Sequence, residues 1–313
     1  MKAEKHTNNL DVVVIGHIII ETIVFPDSSV LTPVLGSPAA YSSVALAKLG
    51  CKVGLCTKVG KDMPSELVSV FEKARVDLQG LLVAGEYSTR NQLVYTHMEQ
   101  KRVIYMRKAP SFTIHDLSKS YKAAQLFYVC PMDFEVPAKM VEELATLGKP
   151  IFVDLGGYGG ATSSFHQFGE SSKLQQLKPI LESASVVKAS FEDCGLILGK
   201  PEIKAPAVET AFAEKLVKLG AGKVVITLGS RGVYLHDHSG GSYFPPFHCK
   251  AVDTTGAGDT FCAGLIYKYI RSHDMGAAIR FGEAVACLVI EKTGGVDVER
   301  MPNREKVIEF INA

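Results

Sequence analysis

Tryptophan is missing from this chain of 313 residues, and aromatic residues make up only 8% of it. A surface that stacks the bases of single-stranded nucleic acid needs such rings, so that function is disfavoured. A dominant sign of charge is missing too. The 34 basic and 33 acidic side chains leave a formal +1, without the cationic excess that a phosphate backbone usually demands. No C-x-x-C pair occurs among the seven cysteines, which stand at 51, 56, 130, 194, 249, 262 and 287. Odd in number and set in apolar stretches, they read as buried thiols in a reducing compartment. No apolar run approaches a bilayer span, and the polar start M-K-A-E-K-H-T-N-N lacks the apolar core and cleavage site of a signal peptide. The expectation is a soluble cytoplasmic protein with no nucleic-acid and no membrane partner. Also missing are G-x-x-x-x-G-K-[ST], G-x-S-x-G and H-E-x-x-H, so P-loop, hydrolase-elbow and zincin readings lack their motifs.

What remains is a chain that is 47% hydrophobic, with enough apolar surface to offset the entropy of ordering it. Its length permits two average domains or one large α/β domain with an appendage. Periodicity predicts strands over 10–15, 51–59, 124–130, 150–154, 185–188 and 223–228. Helices are predicted over 38–49, 63–74, 135–147 and 208–219, with a further one after Ser190. Apolar strands alternating with amphipathic helices imply a mostly parallel sheet covered on both faces, with ligands at the carboxyl ends of the strands. Two segments break the rhythm. Residues 91–108 read as an antiparallel hairpin around a polar turn at 99–101, and with 18–24 they would form a small separate sheet. Near the end, 259–273 and 275–292 read as two helices in succession, whereas the Gly- and Ser-rich stretch 155–169 reads as a loop after a strand. Asp154-Leu155-Gly156-Gly157 lacks the G-x-G-x-x-G spacing of a dinucleotide loop, and its place at a strand end makes Asp154 a candidate wall of a substrate pocket.

The strongest local signal is Asp253-Thr254-Thr255-Gly256-Ala257-Gly258-Asp259. Small residues where a helix begins let consecutive backbone N–H groups converge, and the helix dipole adds partial positive charge. That combination is an anion cradle. In the first turn of the helix, Asp259 would sit beside the anion, able to take a proton from an attacking hydroxyl. A plain acidic helix start is the alternative, because Asp is favoured there as well.

The full string resembles the second signature of the PfkB (ribokinase-like) family of carbohydrate kinases, D-T-x-G-A-G-D, and the likeness can be traced from about residue 11 to residue 302. The resemblance implies a ribokinase-like three-layer α/β/α fold with a mostly parallel central sheet. It also implies one domain over 1–313, with a small β-sheet lid from about 17–25 and 90–108 inserted in it. Asp259 would be the catalytic base, and the amides of Gly256, Ala257 and Gly258 the anion hole. The family's first signature is partly present as Gly36-Ser37-Pro38-Ala39-Ala40-Tyr41, with Ser37 in place of a glycine and Tyr41 in place of an asparagine. Glu21 stands where the family usually has aspartate. Glu21, Gly36, Ser37, Tyr41, Asp154 and Asp259 are therefore the candidate substrate-binding residues. Thr227-Leu228-Gly229-Ser230-Arg231-Gly232 resembles the family's T-x-G-x-x-G beside the nucleotide phosphates, although as a bare pattern it equally suits a hairpin turn.

On the nucleotide side the resemblance implies Ser190, Thr227, Gly229, Gly232, Glu283 and Ala286. Ser190-Phe191-Glu192-Asp193 replaces the family's N-x-x-E, which leaves Asp193 to act on magnesium through water, with Glu192 as its substitute. Carbonyls around Asp253, Thr255 and Gly294 match the region where many relatives hold a monovalent cation such as potassium. Together these features imply an ATP- and Mg²⁺-dependent kinase acting on a hydroxyl of a sugar, polyol or nucleoside, with a homodimer allowed through the lid. The alternative is a catalytically weak ligand-binding or regulatory protein on the same scaffold, motivated by the altered Ser190 and Asp193 positions.

Overall fold

The structure is a computed structural model that describes residues 9–97, 100–164, 170–199 and 207–313. Parts of the expected turn at 99–101 and of the expected loop at 155–169 lie outside the described residues. In chain order, strands β1 (Val12–Ile15), β2 (Ile19–Val24) and β3 (Val30–Gly36) precede helix α1 (Pro38–Lys48) and strand β4 (Val53–Val59). Helix α2 (Ser65–Lys73), strands β5 (Leu81–Val83), β6 (Arg90–His97) and β7 (Gln100–Arg107), and the short helix α3 (Lys119–Lys122) lead to β8 (Leu126–Val129). Then come α4 (Ala138–Ala145), β9 (Ile151–Asp154), α5 (Glu170–Ser183), β10 (Val186–Ser190), α6 (Phe191–Ile197), α7 (Ala207–Lys218) and β11 (Lys223–Thr227). Strands β12 (Val233–Asp237) and β13 (Gly240–Phe244) follow, and three helices close the chain, α8 (Ala257–Ser272), α9 (Met275–Ile290) and α10 (Arg304–Asn312).

Nine of the described strands form one sheet in the order β13-β12-β11-β10-β9-β8-β1-β4-β5, parallel from β11 to β5. Side chains of a strand alternate between the two faces, which is why a strand as uniformly apolar as V-V-V-I serves both. Val12 and Val14 join a core with Val44 of α1, Leu265 of α8 and Ile279 of α9, while Val13 and Ile15 join another with Val141 of α4, Leu177 of α5 and Phe212 of α7. The result is the three-layer arrangement the alternation implied. Strand order reverses at β1, flanked by β4 on one side and β8 on the other, which opens a crevice at the carboxyl ends of the strands. No helix among the described residues is long and apolar enough to cross a membrane.

A second sheet, β3-β2-β6-β7, stands apart from the first and contains the expected 18–24 strand and the 91–108 hairpin. It also contains β3, which lay outside the expected lid segments. Most of β3 is exposed and shows no hydrophobic alternation, so nothing in its pattern marked it as a strand. Strands β5 and β13 and helices α3, α5 and α10 were likewise not expected. Where the chain passes between the sheets, the Thr89 hydroxyl accepts the Ala109 N–H at 2.9 Å and lies 2.9 Å from His17 Nδ1. One side chain thus joins the three crossing points at 17, 89 and 109.

Helices α8 and α9 approach so closely because glycine faces glycine. A Cβ built on Gly264 would lie 2.8 Å from Gly282 Cα and 2.8 Å from Val285 Cγ2. Gly264→Val is therefore expected to lower stability by about 1–3 kcal/mol through overpacking, measured as a reduced urea midpoint.

Candidate active site

Helix α8 starts at a glycine in the left-handed region, Gly256 with φ 78°, and no side chain caps it. The first N–H groups of an α-helix have no partner within the helix, so this end offers donors and positive dipole to an anion. Gly256 is needed twice over. Its φ disfavours any other residue, and a Cβ there would lie 2.5 Å from the Tyr41 ring. The three expected donors are not equivalent. Ala257 gives its N–H to the Thr254 carbonyl at 3.1 Å, a turn contact that ties up the amide expected in the anion hole. Asp259 lies in the first turn, and its carbonyl accepts the Ser42 hydroxyl of α1 at 3.0 Å, which pins the start of α8 to the first signature.

Beside this helix start lies a cation that sequence reasoning missed. Lys188, near the carboxyl end of β10, points its ammonium to 3.1 Å from where a Gly258 Cβ would be, and it pairs with Asp154 at 3.0 Å. Both residues are buried. Burial alone would lower the Lys188 pKa, but Asp154, with Asp193 and Asp259 nearby, more than reverses this, so the group stays charged. A lysine in an otherwise apolar parallel strand, V-V-K-A-S, was the signal available. Asp154, expected as a pocket wall, has both oxygens committed: Oδ2 to Lys188 and Oδ1 to the Gly156 N–H at 2.8 Å. It holds the ammonium in place while still lining the cavity.

These groups border one cavity of about 910 Å³, lined by Asp154, Lys188, Ser190, Asp193, Gly256–Asp259 and, from the lid, Tyr95 and Arg102. The lid is anchored across it, with the Tyr105 hydroxyl 2.8 Å from the Thr162 carbonyl and Lys108 paired with the buried Asp133. Of the other expected substrate residues, Glu21 is nearly buried and accepts the Asn91 amide at 3.1 Å. It packs so tightly on Gly36 that a Cβ there would lie 2.2 Å from its carboxyl carbon, which explains that glycine. Asn91, which the sequence did not single out, is buried, and its Oδ1 has no hydrogen-bond partner among the described residues. Ser37 adopts φ 114°, which suits the glycine found at this position in the family signature, and its hydroxyl caps α1 through the Ala40 N–H. Tyr41 is buried with its ring on Gly256, so it props the loop of the anion cradle.

On the nucleotide side, Ser190 lines the cavity, with Thr227 its register partner on β11. The segment from Thr227 to Gly232 is indeed a hairpin turn between β11 and β12, so both readings of T-x-G-x-x-G meet in one structure. Gly232 is fixed by close approach, because a Cβ there would meet the Phe244 carbonyl at 2.1 Å, whereas Gly229 faces open space. Glu283 and Ala286 lie along α9, outside the cavity. Glu283 pairs with Arg280 at 2.9 Å, yet burial outweighs that pull and pushes its carboxyl up to about 7. Asp193 is committed to backbone, accepting the N–H of Ser190 at 2.6 Å and of Ala161 at 2.8 Å, while Glu192 is exposed at the cavity edge. Among the described residues no group of three or more His, Cys, Asp or Glu side chains could hold a metal. Oxygen donors such as Glu192 and Asp193 nonetheless suit Mg²⁺, which keeps much of its water and binds phosphate oxygens. Of the carbonyls expected to hold a monovalent cation, those of Asp253 and Gly294 face a guanidinium. Arg300 donates to the carbonyls of Asp253 at 3.1 Å, of Lys292 at 3.2 Å, and of Gly294.

An uncapped helix end and a buried cation meet beside one cavity at the strand ends, beneath a separate β-sheet, an arrangement suited to an anionic group. A family model described as pfkB family carbohydrate kinase matches residues 9–301, and the chain belongs to that family. It is similar to a cytidine kinase of Thermococcus kodakarensis, 29% identical over 292 residues that cover 91% of this chain and 98% of that protein. An uncharacterised sugar kinase of Archaeoglobus fulgidus is 39% identical over 262 residues, covering 80% of this chain and 96% of that protein. Among solved structures, a fructokinase double mutant of Vibrio cholerae in its fructose-, ADP- and potassium-bound form has a TM-score of 0.77 at 18% identity, covering 97% of this chain and 99% of that one. That likeness establishes the shared fold.

Two outcomes follow from the buried charges. Lys188→Met leaves Asp154 buried without a counter-ion and is expected to cost about 3–5 kcal/mol, read from chemical denaturation. For Glu283, the folded protein binds a proton that the unfolded chain has already released between pH 4.5 and about 7, so its contribution to stability falls as pH rises through that window. Glu283→Gln is expected to shift the melting temperature more favourably at pH 8 than at pH 5.

Proposed function

We propose that the protein transfers the γ-phosphoryl group of ATP to a hydroxyl of a sugar, polyol or nucleoside. The observation that supports this most directly is the convergence of the uncapped start of α8, Asp259 and the Lys188 ammonium on one cavity at the strand ends. In this reading the substrate hydroxyl oxygen attacks the γ-phosphorus, the bond from that phosphorus to the leaving ADP oxygen breaks, and the hydroxyl proton passes to the Asp259 carboxylate. The amides of Gly256 and Gly258 stabilise charge spreading over the transferring oxygens, with the Ala257 amide shared with its turn. Lys188 adds a fixed full charge where the helix dipole supplies only a partial one. Mg²⁺ bound with the nucleotide would neutralise charge on the phosphates, and Glu192, with Asp193 behind it, would hold its water shell.

On the acceptor side, Glu21 and Asn91 form the polar pair best suited to a polyhydroxyl substrate. Glu21 accepts hydroxyl protons, and Asn91 Oδ1, buried without a partner, needs a donor. The acceptor class fits a family that includes both the cytidine kinase and the sugar kinase relatives. The lid excludes water, which would otherwise compete as phosphoryl acceptor. Its exposed Val30, Leu31 and Met106 favour pairing of two copies through the lid.

With Mg·ATP and a panel of sugars, polyols and nucleosides, the protein is expected to phosphorylate at least one member, and Asp259→Asn to lower kcat by roughly 10²–10⁴-fold with an unchanged melting profile. Binding of a panel member without any turnover would leave the ligand-binding alternative in its place.

A further inference from the structure

We infer that Arg300 is a built-in replacement for the monovalent cation of this site, so that catalysis does not depend on potassium. The segment Asp253–Thr255 leads directly into the anion cradle, and its backbone has to be held while a dianionic phosphoryl group passes beside it. In the neighbouring fructokinase structure a potassium ion is bound. Here a single guanidinium takes up two of the carbonyls expected to hold such an ion, with a third carbonyl beside them. Nε donates to the Lys292 carbonyl at 3.2 Å, Nη1 to the Gly294 carbonyl, and Nη2 to the Asp253 carbonyl at 3.1 Å, with the Asp253 carboxylate 3.4 Å from Nη2. The Arg300 side chain is only 2% exposed, so its charge lies against these oxygens and not in solvent.

The Asp253 side chain completes the knot. Its Oδ1 accepts the Thr255 N–H at 2.9 Å and its Oδ2 the Gly294 N–H at 3.2 Å. Burial would raise its pKa, but these amides and Arg300 together hold it below the ordinary carboxylate range. A planar fork with five donors matches three carbonyls and a carboxylate better than a spherical ion, and it cannot dissociate. Arg300 is thus a positioning residue: it touches the loop that bears the anion hole and acts through it.

This inference builds on the proposed anion hole, and thermal stability provides a readout that needs no turnover. Melting temperature and kcat are measured for the wild-type protein in tetramethylammonium chloride and in potassium chloride at equal ionic strength. Both are expected to be the same in the two salts. Arg300→Ala removes the guanidinium and leaves the carbonyls of Asp253, Lys292 and Gly294 with the Asp253 carboxylate, a donor set suited to a monovalent cation. Its melting temperature and kcat are expected to be low in tetramethylammonium and to rise several-fold in kcat, with a higher melting temperature, in potassium. Arg300→Lys is expected to fall between the two without a potassium response. Activation of the wild type several-fold by potassium, or an Arg300→Ala protein indifferent to potassium, would overturn the inference. Should Arg300→Ala fail to fold, the wild-type comparison decides alone. Absence of kinase activity from every sample, with the potassium-specific melting shift intact, would instead count against the proposed reaction.

Discussion

The start of helix α8 carries no side-chain cap, and the rest of the site is arranged around that exposed helix end. A half-buried helix end with no side-chain cap is held in place from several sides at once. Tyr41 lies beneath Gly256, the Ser42 hydroxyl holds the Asp259 carbonyl, and Arg300 grips the Asp253 backbone from behind. Those contacts come from α1 and from the segment after α9, far apart in sequence. In the proposed reaction such fixed donors would meet an anion without reorganising, the condition under which electrostatic stabilisation is strongest.

A formal charge of +1 looks ill suited to a protein that handles phosphates, until the positions of the charges are considered. The cations that matter are few and buried. Lys188 is kept ionised by Asp154, and Arg300 is satisfied by carbonyls and Asp253. Neither depends on bulk charge, and neither is much screened by salt at that depth. Two acidic residues that looked available for substrate or metal from their position in the chain have structural engagements: Asp154 with a lysine, Asp193 with two backbone amides. Anchoring and chemistry draw on the same small set of side chains.

Much of the fold was legible in the sequence. Strands such as V-V-V-I are buried on both faces and read as continuous apolar runs, and the helices between them carry the amphipathic spacing that covers a parallel sheet. Strands β3, β5 and β13 were not legible: β3 and β13 are mostly exposed edge strands without apolar alternation, and β5, though apolar, is only three residues long. The glycine-rich start of α8 was visible because a backbone at φ 78° strongly favours glycine. Lys188 could have been found as a charge inside a buried strand. Asn91 and Arg300 carried no local anomaly, because their roles come from partners about 70 and 47 positions away.

By itself, the amino-acid sequence determined the layered α/β architecture, the place of the glycine-rich helix start and the kind of chemistry that start supports. Those follow from short-range rules: side-chain period, helix-end chemistry and backbone freedom at glycine. Only the tertiary structure decided which charges serve the site. Whether a carboxylate faces a cavity or a backbone amide, and whether a set of carbonyls holds a metal ion or a guanidinium, depends on what distant segments bring within 3 Å or so, and no local pattern encodes that.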